Sequence, residues 1–307
     1  MKKYKFRILF SLLAAIAFSA CEVVDPMDSE QYQKDIYIVG AYNKVTVFEV
    51  PYGDGQDAFI SLAVSGTMKI DQDVDVTLER HDDIIDWYNN KYMLDAPVKY
   101  QPLDTEYINV PSWTTAIRSG QVYGRLPFTV NSSDLHCDSL YAIGFAIESV
   151  LNYHKSRKDT ALILTLKLIN EFSGNYRLEA EKITLREEEL PEGGVQWVES
   201  GLPVPVSIQR TLTAVSADTV RFFHEKQKET LSEYSNSWDP GKDYFDAINK
   251  YGIKFGKQIN TNTFSVVPWS DMNIVDGEAT FENNAFTFWY DYIDGTTRYR
   301  MKGTFKR

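Results

Sequence analysis

From Asp35 onward, apolar and polar positions alternate with a period of two, the spacing that predicts strands. Val74, Val76 and Leu78 alternate with Asp73, Asp75 and Thr77. Leu162, Leu164, Leu166 and Leu168 make one uniformly apolar face, and Ile163, Thr165 and Lys167 make the other. Such strands predict half-buried antiparallel sheets of a sandwich. One stretch changes period. Asp82 or Asp83 can cap a helix on which Ile84, Trp87, Tyr88 and Lys91 share a stripe, and that spacing assigns Trp87 to the core. Near the C-terminus, Phe286, Phe288, Tyr290 and Tyr292 alternate with Thr287, Trp289 and Asp291. Asp294-Gly295 reads as a hairpin turn, and Tyr299, Met301 and Phe305 return opposite Arg298, Arg300, Lys302 and Thr304. An aromatic face backed by a polar one suits the strand of a closed barrel. Between Gln227 and Gly256 the pattern loosens, and Ser235 to Gly241 reads as a loop.

The first twenty residues follow a different logic. Lys2, Lys3, Lys5 and Arg7 precede a short apolar run from Ile8 to Ala17, and Phe18-Ser19-Ala20 leads into Cys21. The run is too short to span a membrane. Its layout is that of a secretory signal, and the small pair before a cysteine resembles a bacterial lipobox. The expectation is cleavage before Cys21, lipidation of its thiol, and a polar tether to residue 34. Several acyl chains on one cysteine would make a stable anchor.

Composition narrows the partners. The chain has 32 basic and 43 acidic residues, a net charge of -11, and loss of the four signal cations takes -11 to -15. Nucleic-acid binding needs a basic surface and is not expected. Cys137 is the only other cysteine, so with Cys21 lipidated no intramolecular disulfide can form. No second pair of Cys or His residues has ligand spacing, which makes Cys137 a small half-buried residue and predicts no metal and no cofactor. The sequence holds no His-Glu-x-x-His, Gly-x-Ser-x-Gly or phosphate-loop pattern. Asp71, Asp73, Asp75 and Glu79 could suggest a glycosidase strand or a calcium loop. Glu79 lies four residues past Asp75, and Val76 stands where a calcium loop needs Gly, so these acids read as the exposed face of a strand. No catalytic residue is expected.

A family resemblance follows from the order of several short motifs. Tyr88-Asn89 on the helix, Ile117 to Gly120, and Tyr141 to Phe145 are similar to the N-terminal β-sandwich domain of Bacteroides-type surface lipoproteins. The same domain precedes the catalytic barrel of some family-18 endoglycosidases. The pattern departs at Leu103, which is followed by Asp104 where that family has Pro. Ser173-Gly174-Asn175-Tyr176 and the Tyr-rich final hairpin resemble the opening and closure of the lipocalin-like domain often fused to that sandwich. The resemblance implies an all-β chain with an Ig-like β-sandwich carrying one short helix over 35–170 and a lipocalin-like antiparallel β-barrel over 171–307. It also implies an outer-membrane, cell-surface accessory protein of a glycan-utilisation system. Its partners would be a glycan or oligosaccharide, an outer-membrane porin and that porin's partner lipoprotein.

Glycan binding needs aromatic faces and a few hydrogen-bonding side chains. Candidates in loop-like context are Trp113 after Pro111, Trp197 after Gly193-Gly194, Trp269 after Pro268, and Trp238. Trp238 is the first choice, with Tyr234, Asn236 and Asp239 around it. The alternative is a structural or adhesion lipoprotein that binds another protein, and a glycoside hydrolase is the third reading. A lipocalin-like barrel could also enclose a small apolar ligand.

Overall fold

The computed structural model describes residues 29–224, 228–229 and 231–307, so Cys21 and the signal segment lie outside the described residues. The described chain is all-β with two α-helices, in two packed units. The first is a sandwich of β1 (Asp35–Ile38), β2 (Val45–Pro51), β3 (Gln56–Val64), β4 (Val74–Arg80), β5 (Tyr100–Pro102), β6 (Ile108–Asn109), β7 (Thr114–Ile117), β8 (Tyr123–Val130), β9 (Leu140–Val150), β10 (His154–Lys155) and β11 (Ala161–Ile169). One sheet has the order β10-β1-β3-β8-β6 and the other β2-β11-β9-β4-β7, with β5 beside β9. Ile60, Leu62, Leu126 and Phe128 of the first sheet meet Val76, Leu78, Phe145 and Leu164 of the second in one apolar layer.

Two features differ from the antiparallel, half-buried sheets expected. β2 pairs with β11 in parallel, from Ile163↔Val45 to Ile169↔Pro51. The two strands lie at opposite ends of the unit's chain, so no hairpin dictates their direction. The second face of β11 is not left to water. Helix α1 (Asp83–Tyr92) lies over it, packing Ile85 on Ala142 and Ile163. The fully buried positions of α1 are Ile85 and Asn89, with Ile84 and Tyr88 of the expected stripe half-buried against the same cluster, and Trp87 is exposed rather than core. Asn89 gives the Tyr-Asn pair a physical role. Its Nδ2 donates to the Tyr100 carbonyl at 2.7 Å and its Oδ1 accepts from the Tyr100 N–H at 3.1 Å, which ties β5 to the helix. Gly144 is required where β9 passes under the start of α1, because a Cβ there would lie 2.0 Å from the His81 carbonyl oxygen.

The second unit is a closed barrel of eight sequential antiparallel strands: β12 (Gly174–Glu189), β13 (Val195–Ala214), β14 (Thr219–Phe223), β15 (Gly252–Lys257), β16 (Thr263–Pro268), β17 (Ile274–Glu282), β18 (Ala285–Asp294) and β19 (Thr297–Lys306). β19 closes on β12. Phe286, Phe288, Tyr290 and Tyr292 point inward as their alternation requires. They fill the interior with Tyr176, Phe222, Phe255, Phe264 and Phe305, with ring centroids 4.8 Å apart for Phe222–Phe255 and 4.9 Å for Phe222–Phe305. A core packed with rings leaves little room for a small apolar ligand.

The segment read as a loop through Gly241 instead starts helix α2 (Pro240–Tyr251). Asp239 caps it by accepting from the Lys242 N–H at 3.1 Å, and Pro240 opens the first turn, where a missing N–H costs nothing. Tyr244 and Ile248, one turn apart, bury against Phe223 and Tyr234 and reach Val98 of the sandwich. The two units also meet through Arg221, which points outward from β14. Its guanidinium donates to both oxygens of Asp138, at 2.6 and 2.5 Å, and lies 4.5 Å from the centre of the Trp269 ring. Burial opposes the charge on Arg221, but the Asp138 carboxylate outweighs burial and raises the pKa of the guanidinium. No helix of the described residues is long and apolar enough to cross a membrane.

Candidate functional site

A groove of about 1000 Å³ lies on the outer wall of the barrel. It arises because β12 and β13 extend beyond the barrel as one long hairpin, and that hairpin bends. Lys182 pairs with Val204 but Thr184 pairs with Ser200, so β13 spends four residues on a step that takes β12 two. Gly201 absorbs the detour at φ +84. The irregularity also reverses the buried side of β12, from Ala180 before it to Ile183 and Leu185 after it. The far half of the hairpin folds over the wall. Glu199 reaches Lys302 at 2.9 Å, and the Arg298 guanidinium lies 4.9 Å from the centre of the Trp197 ring. Asp291, outward on β18, therefore becomes 1 % exposed, and it accepts from Arg298 at 2.7 Å and from Arg300 at 2.7 and 3.1 Å.

The groove surface consists of two in-register rows across five neighbouring strands. Ser207, Glu179, Thr304, Thr287 and Thr280 form one row. Pro205, Glu181, Lys302, Trp289 and Glu278 form the other. Four inter-strand steps of about 4.8 Å make each row roughly 19 Å long. Between them runs the inward row of Val206, Ala180, Gly303, Phe288 and Ala279. At Gly303 a Cβ would lie 2.3 Å from the Glu179 carbonyl oxygen, so only glycine lets β19 press this close to β12. Arg300, fixed by Asp291, lies 4.9 Å from the centre of the Trp289 ring and braces one face of the indole. Trp289 is half-buried and lines the groove. One aromatic plate beside a row of hydroxyls can stack on a sugar ring and exchange hydrogen bonds with its hydroxyl groups.

The charged groups of the groove are mostly committed. Lys302 pairs with Glu199, and Lys306 at 2.8 Å holds the Glu179 carboxyl below the usual range, with Arg177 adding to the effect. Glu181 and Glu278 are exposed and join no ion pair among the described residues.

The residues expected to bind glycan do not gather at one place. Tyr234 is buried under α2, with its hydroxyl donating to the Lys228 carbonyl at 2.8 Å, so it belongs to the barrel-end core rather than to a ligand platform. Trp113 packs into the sandwich core against Phe145, with centroids 6.0 Å apart. Trp269 is half-buried between the two units, under Arg221 and edge-on to His136. Trp197 lies on a strand, not in a loop, and holds the bent hairpin to Arg298. Asp239 spends a carboxylate oxygen on the α2 cap. Trp238 is fully exposed and Asn236 is exposed beside it. Trp289 was visible in the sequence only as the outward member of an alternating strand. Its signal was a large aromatic on the polar face, flanked by Thr287 and Asp291.

Two other chemical clusters have structural roles. Asp73 accepts from the Ser119 N–H at 2.7 Å and from Arg118 at 2.6 Å, closing the turn before β8. His136, Cys137 and Asp138 place three metal-type ligand atoms within 4.8 Å of one another. Asp138 already gives both oxygens to Arg221, and burial pushes the Cys137 thiol up to about 12, so this trio does not present a ready ligand set. A second groove, of about 680 Å³, lies between the units and is lined by Tyr100, Cys137, Thr165, Asn170 and Arg307.

A family model described as an N-terminal domain matches residues 32–154, and one described as C-terminal matches residues 160–306. A multidomain protein of Bacteroides ovatus that includes DUF1735 is 16% identical, with a TM-score of 0.57 over 90% of this chain and 94% of that one. A protein of unknown function from Bacteroides ovatus is 12% identical, with a TM-score of 0.59 over 89% and 94%. An auxiliary nutrient binding protein of Bacteroides thetaiotaomicron is 18% identical, with a TM-score of 0.53 over 86% and 91%. At these identities the likeness shows the fold. No curated protein matches the chain in sequence.

Proposed function

The chain belongs to a family that joins this N-terminal domain to this C-terminal one, and from that premise we propose that it is a glycan-binding accessory protein whose ligand lies in the barrel-wall groove. The observation that carries the reading is the groove itself: Trp289 fixed beside Arg300, the parallel hydroxyl row of Thr280, Thr287 and Thr304, and a length suited to an extended oligosaccharide. One neighbour of the same fold is described as nutrient binding, which agrees with this role.

Binding fits the groove better than hydrolysis. A glycosidase holds two carboxyl groups about 5–9.5 Å apart. Glu181 and Glu278, the two uncommitted acids, stand three strands apart, about 14 Å. Glu179 and Glu199 are each engaged by a lysine.

The proposal extends to the cell. A lipid on Cys21 would hold the two units at the outer membrane, facing outward, beside a porin and its partner lipoprotein. The experiment is a glycan panel probed with purified protein. At least one polysaccharide is expected to bind, and Trp289→Ala to weaken it about tenfold or more. Loss on Trp238→Ala with no loss on Trp289→Ala would move the site to the loop before α2. Copurification with a porin complex and no sugar affinity would favour the protein-binding alternative.

A further inference from the structure

We propose that the barrel-wall groove selects neutral glycans and rejects chains that carry uronate, sulfate or sialic acid. The inference rests on the reading of that groove as a glycan site. Four glutamates and two cations line it. Both cations are already answered, Lys302 by Glu199 and Arg300 by two hydrogen bonds from its guanidinium to Asp291. Glu181 and Glu278 join no ion pair among the described residues, and they stand at the same level in one row, on either side of Lys302 and Trp289. A ligand stacked on Trp289 therefore lies between two exposed carboxylates. A neutral sugar can donate its hydroxyl protons to them. An anionic substituent meets like charge with no free cation to receive it, and the chain's overall charge of -11 adds to the repulsion.

The test prints neutral oligosaccharides beside the same chains bearing uronate, sulfate or sialic acid, and includes a pectin before and after carboxyl reduction. At low salt the neutral member of each pair is expected to bind about tenfold more tightly. Glu181→Gln with Glu278→Gln should narrow that gap to about threefold or less, and so should 0.5 M salt, which screens exposed charges. Equal binding of both members, with Trp289→Ala weakening both, would overturn the selectivity while leaving the groove as the site. Binding that ignores Trp289→Ala would overturn the groove reading itself. A protein that binds no member of any pair overturns both.

Discussion

The two faces of β17, β18 and β19 are opposites. Inward, Phe286, Phe288, Tyr290 and Phe305 pack as a cluster of rings together with Met301, with Phe288 and Phe305 stacked 5.0 Å apart. Outward, Thr280, Thr287, Trp289, Lys302 and Thr304 form an open polar surface with one aromatic plate. A lipocalin-like topology leads one to look for a ligand in the lumen. Here the lumen is spent on stability, and the concavity is made outside, by a hairpin that bends over the wall. Topology is thus no guide to which face binds. The side chains decide, through what fills the inside and what covers the outside.

The largest expected effects break the inner face. Phe255 is fully buried and touches Phe222, Phe286, Phe288 and Phe305. Phe255→Ala is expected to cost about 3–5 kcal/mol. In urea melts the variant should unfold far earlier, yet under native conditions its folded fraction should bind glycan as before. A change in affinity with no change in stability would contradict the division between the faces. The seam between the units comes next. Asp138→Ala strips a buried arginine of its partner and should also cost about 3–5 kcal/mol, whereas Asp138→Leu with Arg221→Met should recover much of that loss. Trp289→Ala sits at the other extreme, with an expected stability cost of about 1 kcal/mol or less and a large loss of affinity. A Trp289→Ala protein that melts as early as Phe255→Ala would make the wall a core element and remove the basis for a site there.

Period-two alternation made the inner face legible in the sequence, because interior strand positions must be apolar whatever they contact. The turn at Asp294-Gly295 was legible for a similar reason: Gly295 takes a φ of +61 that favours glycine. Helix α2 was hidden because only Tyr244 and Ile248 are buried on a largely polar segment, although Asp239-Pro240 was a start signal. Trp87 was misassigned because it borders the packed stripe of Ile84, Ile85 and Tyr88, and nothing in the sequence says that polar Asn89 completes that stripe inside. The groove was not legible at all. It depends on the register irregularity between Lys182 and Thr184, which brings Glu199 and Trp197 over β19 residues more than 100 positions away. Loop position pointed to Trp113, Trp197 and Trp269, but a loop tryptophan is as readily a plug as a platform, and partners remote in sequence decide which.

The smallest effects sharpen the same contrast, through two glutamates titrating in opposite directions. Glu179, on the outer wall, has its pKa lowered by the hydrogen bond and charge of Lys306 and by Arg177. Its contribution is present above the ordinary value near 4.5 and fades as pH falls through the lowered folded value. Glu229 lies against the inward-facing Arg210 at 3.5 Å and accepts from the Thr211 N–H at 2.9 Å. Burial raises its pKa, with Glu233 adding to the rise and Arg210 and Thr211 opposing it. A raised folded pKa reverses the sign: the favourable contribution is complete below about 4.5 and is lost as pH climbs through the raised value. Glu229→Gln keeps the oxygen that accepts from Thr211 and cannot ionise. Relative to wild type, Glu229→Gln should gain melting temperature as pH rises from 4 to 7, while Glu179→Gln should lose it over the same range. Parallel slopes for the two variants would mean that Glu229 is hydrated in solution and that the interior opens to water at Arg210.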